Sequence, residues 1–419
     1  LYVDARRDEA MLLENAGRRS QAIRVLRRAV QGREFSDLHP ALAELLERAG
    51  QRGRAVALLR EAAQAPGAPG RAHIALADLL REGDDLEGAV EALRGVERRD
   101  PAFLEARLAL VQMLEDAERL EDAVRELELV VAEGSRSLQM QVYLASLKRR
   151  AGDLDGATEL LEQALSAAGA SPRADRARYA LGRFYQEAGN AQRALEVLHE
   201  IAEESAVHSD ARLVLAQLHE ERGEFSQAIE ELKPLIAERP EAVDLELYLA
   251  GLLERSGDAA AALERVERLA AGEGEIGADE SRGRAQYTLG RLYTRAERGA
   301  DAERALREIP RENPMYADAQ IALVQLFDDQ GRTDEALGAL REAVELRPDV
   351  NLRIYEAELT QRAGDLGAAV ALMDTLIGEN PERVVELRYR IAVIYGAAGE
   401  QDRALDIMLE LLEGEGRDD

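Results

Sequence analysis

The chain contains no cysteine and no tryptophan. Without cysteine there is no disulfide, no thiolate zinc site, no thiol nucleophile and no lipobox cysteine in this window. Lysine is almost missing too: only Lys148 and Lys233 occur among 54 basic residues, which reads as coding bias. No apolar run approaches the roughly 18 residues of a membrane-spanning helix. Of the five histidines, His199 comes nearest to a metal motif, but His199-Glu200-Ile201-Ala202-Glu203 ends in Glu where a second His is needed. His219 falls on a core position and His208 opens a helix. No glycine-rich phosphate loop follows a strand pattern, and GEGEIG at Gly272–Gly277 reads as a joint. No catalytic residue, metal or cofactor is therefore expected.

What is present suits helices: Ala, Leu, Glu and Arg dominate, with aromatics at 4% and only 11 prolines. Net charge is −28, unevenly placed. Residues 1–100 hold 17 basic and 17 acidic side chains, so the remainder carries the whole excess. Such a surface repels phosphate backbones, which argues against nucleic acid as a partner. It also favours solubility, and the acidic C-terminal two-thirds would attract a basic partner.

A small residue recurs at Ala22, Ala55, Ala89, Ala123, Ala157, Ala194, Ala228, Ala262, Ala302, Ala336, Ala369 and Ala404, at spacings of 33 to 40 residues. The stretch Ala145–Ala164 shows the unit: a helix, a break at Gly152, a cap at Asp153, and a second helix with Ala157, Leu161 and Ala164 on one face. Numbering the break as position 15, its occupants are Gly in nine copies and Asp84, Glu118 and Glu297 in the others. Position 8 is always small or β-branched, position 7 is usually Leu, and position 32 is often Pro, as at Pro101, Pro240, Pro314, Pro348 and Pro381. One compact core is not expected of 419 residues. An array of stacked hairpins escapes that limit, because each unit buries its apolar face on its neighbours.

The pattern resembles the tetratricopeptide repeat family over nearly all of residues 1–413. It departs consistently at position 4, where His39, His73, Arg107, Arg178, Gln286 and Arg388 stand in place of the family's tryptophan; softer packing is expected there. The resemblance implies an all-α, right-handed α-solenoid of about twelve helix-turn-helix units. Its implied activity is binding of protein or peptide partners on a concave face.

A longer period is also legible. Repeats 3, 6 and 9 begin RAH, RAR and RAQ at Arg71, Arg176 and Arg284, each after a loose joint. The higher unit is three repeats, giving one array over 1–419 with sub-blocks near 1–66, 67–170, 171–275, 276–381 and 382–419. Bending is expected at the joints before Arg176 and Arg284. Both ends look cut: the chain begins at Leu1, and only Glu413–Asp419 follows the last repeat. A processed form or an excised window of a longer protein is the expectation. The compartment is left open.

On a helical wheel, positions 2, 5, 6, 9, 12 and 13 of the first helix share the side opposite the core, which in this family lines the concave face. Position 6 is Tyr143, Tyr248 and Tyr355 in repeats 5, 8 and 11; position 5 of the next repeat is Tyr179, Tyr287 and Tyr389. Neighbouring helices would set two tyrosines side by side. Arg176 and Arg284 stand at position 2, and Arg183 and Arg291 at position 9. Tyr and Arg are hot-spot residue types, so these ten are candidate partner contacts. Inter-repeat packing is the competing explanation, and the stronger one, since position 5 is often aromatic in this family and duplication of a triplet would copy these residues in any case. Tyr185, Tyr293 and Tyr395 at position 11 read as core. The acids Glu44, Asp78, Glu115, Glu220, Glu221, Glu254, Asp328, Asp329 and Glu358 read mostly as a solvated face. The family's Lys/Asn clamp for a C-terminal carboxylate is not matched. The reading is a binding scaffold. A structural part of an envelope, polysaccharide-export or secretion assembly, or the non-catalytic part of a larger enzyme, are the alternatives.

Overall fold

The computed structural model describes residues 2–31, 38–132, 137–169, 172–272 and 279–415. Among these are 24 α-helices and no strand. They form twelve pairs, A then B, from Tyr2–Asn15 with Arg19–Val30 to Val384–Ala397 with Gln401–Glu415. The chain divides into two compact units, Leu1–Ala211 and Arg212–Asp419. Within each, successive helices pack in order, and A helices of neighbouring repeats touch. The architecture is an α-solenoid. The bending expected before Arg176 and Arg284 involves residues 170–171 and 273–278, which lie outside the described residues, as do residues 416–419.

The A-to-B turn is the same device twelve times. Each position-15 residue has a left-handed backbone, including the non-glycines Asp84, Glu118 and Glu297 at φ 60°, 56° and 57°. The N–H of position 16 then reaches back to the carbonyl of position 11, as in Arg18 to Leu13 and Asp153 to Lys148, both at 2.8 Å. This closes helix A with a Schellman bond. Position 16 also opens helix B. Where it is Asp or Asn, its side chain accepts from an N–H three residues on, as Asp85, Asp153, Asn190, Asp258 and Asp365 do.

Close packing of A on B is set by small residues. Eleven of the twelve position-20 alanines, from Ala22 to Ala369, are fully buried. In repeats 6 and 9 the helices approach closer still: a Cβ on Gly182 would lie 2.5 Å from Leu198, and one on Gly290 2.5 Å from Leu306. Those repeats, with repeat 3, also have the shortest B helices, nine residues each at Leu86–Arg94, Ala191–His199 and Gly299–Arg307. The turns that follow bury Val96, Ile201 and Ile309.

Position 4 carries polar links instead of tryptophan, to helix B, to the residue that ends it, or within helix A. His73 Nδ1 lies 2.9 Å from the Ala92 carbonyl. Arg107 donates to Glu126 at 2.6 Å, and Arg94 binds the same carboxylate at 2.7 Å. Arg178 bonds Asp175 and Glu200, and Gln286 bonds Glu308. Glu126 is only 5% exposed, so its two arginines supply the partners that a buried charge requires.

Candidate partner-binding face

The tyrosine pattern resolves into a repeated three-residue link. Tyr248 donates its hydroxyl to Glu220 of the preceding repeat at 2.6 Å, and Arg255 pairs with the same carboxylate. Tyr355 donates to Asp328 at 2.6 Å, while Arg362 forks onto both its oxygens at 2.6 and 3.1 Å. Tyr143 and Arg150 meet Glu115 in the same way. In each case position 6 and position 13 of one repeat hold the position-12 acid of the repeat before. Burial and then the bond to the carboxylate raise the pKa of Tyr143, Tyr248 and Tyr355. Burial alone would raise Asp328, but the bonds from Tyr355 and Arg362 hold it below the usual carboxylate range.

These contacts correct one expectation. Glu115, Glu220, Glu254, Asp328 and Glu358 are not a merely solvated face, since each is tied to an arginine of the next repeat. Exposed pairs of this kind contribute little singly, but the shared carboxylate with Tyr and Arg fixes register between hairpins. The signal was present in the sequence as an acid followed 34 or 35 residues later by Arg, at 14/48, 115/150, 220/255 and 328/362.

The other candidates behave differently. Tyr179 and Tyr287 are half-buried, and Tyr389 is 48% exposed. Each lies on an A helix that packs against the helix carrying the position-6 tyrosine. Arg284 pairs with Asp244 at 2.5 Å. Arg176, Arg183 and Arg291 have no ion pair or hydrogen bond among the described residues, and Arg183 and Arg291 are exposed. Arg183 lies one helical turn beyond Tyr179, and Arg291 one turn beyond Tyr287. The position-11 tyrosines are core as expected in two cases: Tyr185 and Tyr293 are buried, with hydroxyls reaching Glu162 and Glu267. Tyr395 is only partly buried.

Helical hairpins stacked through small residues, with a row of outward A-helix faces, define a helical repeat protein. Two models of the tetratricopeptide repeat match the sequence, one at residues 74–137 and 287–351, the other at 148–218 and 186–242. Together they cover more than half of the chain, which belongs to the tetratricopeptide repeat family. Repeats of this family bind protein partners. No curated protein matches the sequence. Among solved structures, one of Naa15/Naa10 bound to HypK-THB has 16% identity and TM-score 0.49, covering 97% of this chain and 68% of the other. A tetratricopeptide repeat protein from Parabacteroides merdae has 20% identity and TM-score 0.38, covering 57% and 91%. Kinesin light chain TPR-like repeats from Podosopora anserina have 24% identity and TM-score 0.35, covering 41% and 92%. Among the described residues no helix is long and apolar enough to cross a membrane.

Proposed function

We propose that this chain works by binding, as a non-catalytic scaffold whose A-helix faces hold segments of partner proteins. One observation carries the reading. In a chain where many groove arginines are spent on inter-repeat carboxylates, Arg183 and Arg291 are exposed and have no ion pair or hydrogen bond among the described residues, and each stands one helical turn from a half-buried tyrosine. A guanidinium one helical turn from an aromatic residue offers an incoming segment both a charge-assisted hydrogen bond and apolar area. Tyr143, Tyr248 and Tyr355 serve chiefly to lock the hairpins in register, so the contact role falls on Tyr179, Arg183, Tyr287 and Arg291, with Arg176 and Tyr389 at the margin.

The test is affinity capture with the wild type and a Tyr179→Ala/Arg183→Ala/Tyr287→Ala/Arg291→Ala variant of matched helicity. Loss of the captured partners supports the reading. The same partners in equal yield would reduce these positions to packing.

A further inference from the structure

Position 9 of the A helix repeats with the triplet. Across repeats 4, 5 and 6 it reads Gln112, Ser146, Arg183; across repeats 7, 8 and 9 it reads Gln217, Gly251, Arg291. The first run lies within Leu1–Ala211 and the second within Arg212–Asp419, so each compact unit holds one. Both glutamines and both arginines are exposed, and their side chains make no hydrogen bond or ion pair among the described residues. The residue between them is small. A Cβ on Gly251 would meet nothing within 4 Å, and Ser146 turns its hydroxyl back onto the Val142 carbonyl at 2.9 Å.

The three A helices of each run are fastened together. Tyr143 and Arg150 tie the second helix to Glu115 on the first, and Tyr248 and Arg255 tie theirs to Glu220. The third helix packs on the second in both units, Asp175–Glu187 on Leu138–Arg150 and Asp279–Arg295 on Val243–Arg255. Stacking does not need the row itself. The next three repeats have Gln325, Glu358 and Val393 at position 9, and Glu358 there pairs with Arg390. Copying of a triplet does not account for the row either. Positions 12 and 13 of the third helix have drifted from Gln186 and Glu187 to Thr294 and Arg295, while Tyr at 5 and Arg at 9 are the same in both.

We infer that each run is a subsite for an extended segment of a partner protein that carries an aspartate or glutamate side chain, so that one chain holds two such segments. A glutamine amide both donates and accepts, which suits the N–H and C=O of an extended backbone. The small residue beside it lets that backbone come close. A guanidinium has donors only, and its planar fork fits a carboxylate. Three helices spaced roughly 8–10 Å apart make a row of about 20 Å, which about six residues of extended chain cross. The inference rests on the reading that A-helix faces bind partners, and adds the class of segment and the number held.

The experiment selects phage-displayed random dodecapeptides on the full chain. The enriched peptide, made with an amidated C-terminus so that its carboxylate is a side chain, is then titrated by calorimetry. Asp or Glu at one fixed place and two peptides bound per chain are expected. Arg183→Gln and Arg291→Gln should each weaken one site at least about tenfold and leave the other as it was. Changing the acidic residue of the peptide to its amide should weaken both sites alike. Gly251→Leu enters open space, so melting temperature should hold while only the site in Arg212–Asp419 is blocked. No enriched peptide, enrichment without an acid, one peptide bound per chain, or unchanged binding in all three variants would overturn the inference. If partner capture still depends on Tyr179, Arg183, Tyr287 and Arg291 in those cases, the scaffold reading stands and this one falls alone.

Discussion

The hydroxyl of Tyr248 and the carboxylate of Glu220 meet at 2.6 Å across the boundary between two hairpins, and Arg255 closes on the same carboxylate. The bond belongs to the stacking of repeats 7 and 8, not to either repeat alone. Tyr248→Phe removes a half-buried hydrogen bond to a charged group and should cost about 1–2 kcal/mol. In an array the loss is local. Hydrogen exchange should therefore quicken in His208–Glu221 and Val243–Arg255 while distant repeats stay protected. A Tyr248→Phe/Glu220→Gln double-mutant cycle should show coupling; strict additivity would mean that the two side chains do not interact.

Alkaline pH should loosen the stack. Burial, and then its bond to Glu267, push the Tyr293 phenol up to about 12, against about 10 for a free tyrosine. The folded form thus keeps a proton that the unfolded chain gives up. The stability this provides is complete below about pH 10 and is lost as pH rises toward 12. Tyrosine absorbance near 295 nm should show a late-titrating class, and melting temperature should fall between pH 10 and 11.5. Tyr293→Phe should flatten that fall.

The three non-glycine turns are a reserve of backbone strain. Glu118 and Glu297 are exposed and left-handed, a conformation that costs an L-residue about 1 kcal/mol or more. Glu118→Gly and Glu297→Gly should each stabilise, by less than that figure because glycine also frees the unfolded chain. Gly223→Ala, where a Cβ meets nothing within 4 Å at φ +72°, should destabilise through the backbone alone. Thermal melts of the three variants check the signs.

Gly182→Ala tests close approach rather than turn geometry. Its Cβ would fall 2.5 Å from Leu198, and helix A or the leucine must move, at about 1–3 kcal/mol. Leu198→Val should recover part of the loss in the double variant. Chemical denaturation of the four proteins decides it, and a neutral Gly182→Ala would show that the two helices have room to part.

Much of this protein was written in its period. The glycine at 15, the small residues at 8 and 20 and the leucines between them are local or nearest-neighbour demands, so twelve hairpins and their turns could be read residue by residue. Asp153 as a cap and Ala157 as a contact point needed only the preceding and following helix. The fate of the side chains on the outward faces was not legible in the same way. Whether Glu115 is solvated depends on where Tyr143 and Arg150 arrive from the next repeat, and whether Arg183 is free depends on no acid arriving there. The one-dimensional repeat determines which elements exist, because helix and turn are short-range equilibria. Only the stacking of one hairpin on the next decided which charges are consumed inside the scaffold and which are left for a partner, because that is where residues a full repeat apart come within reach of each other.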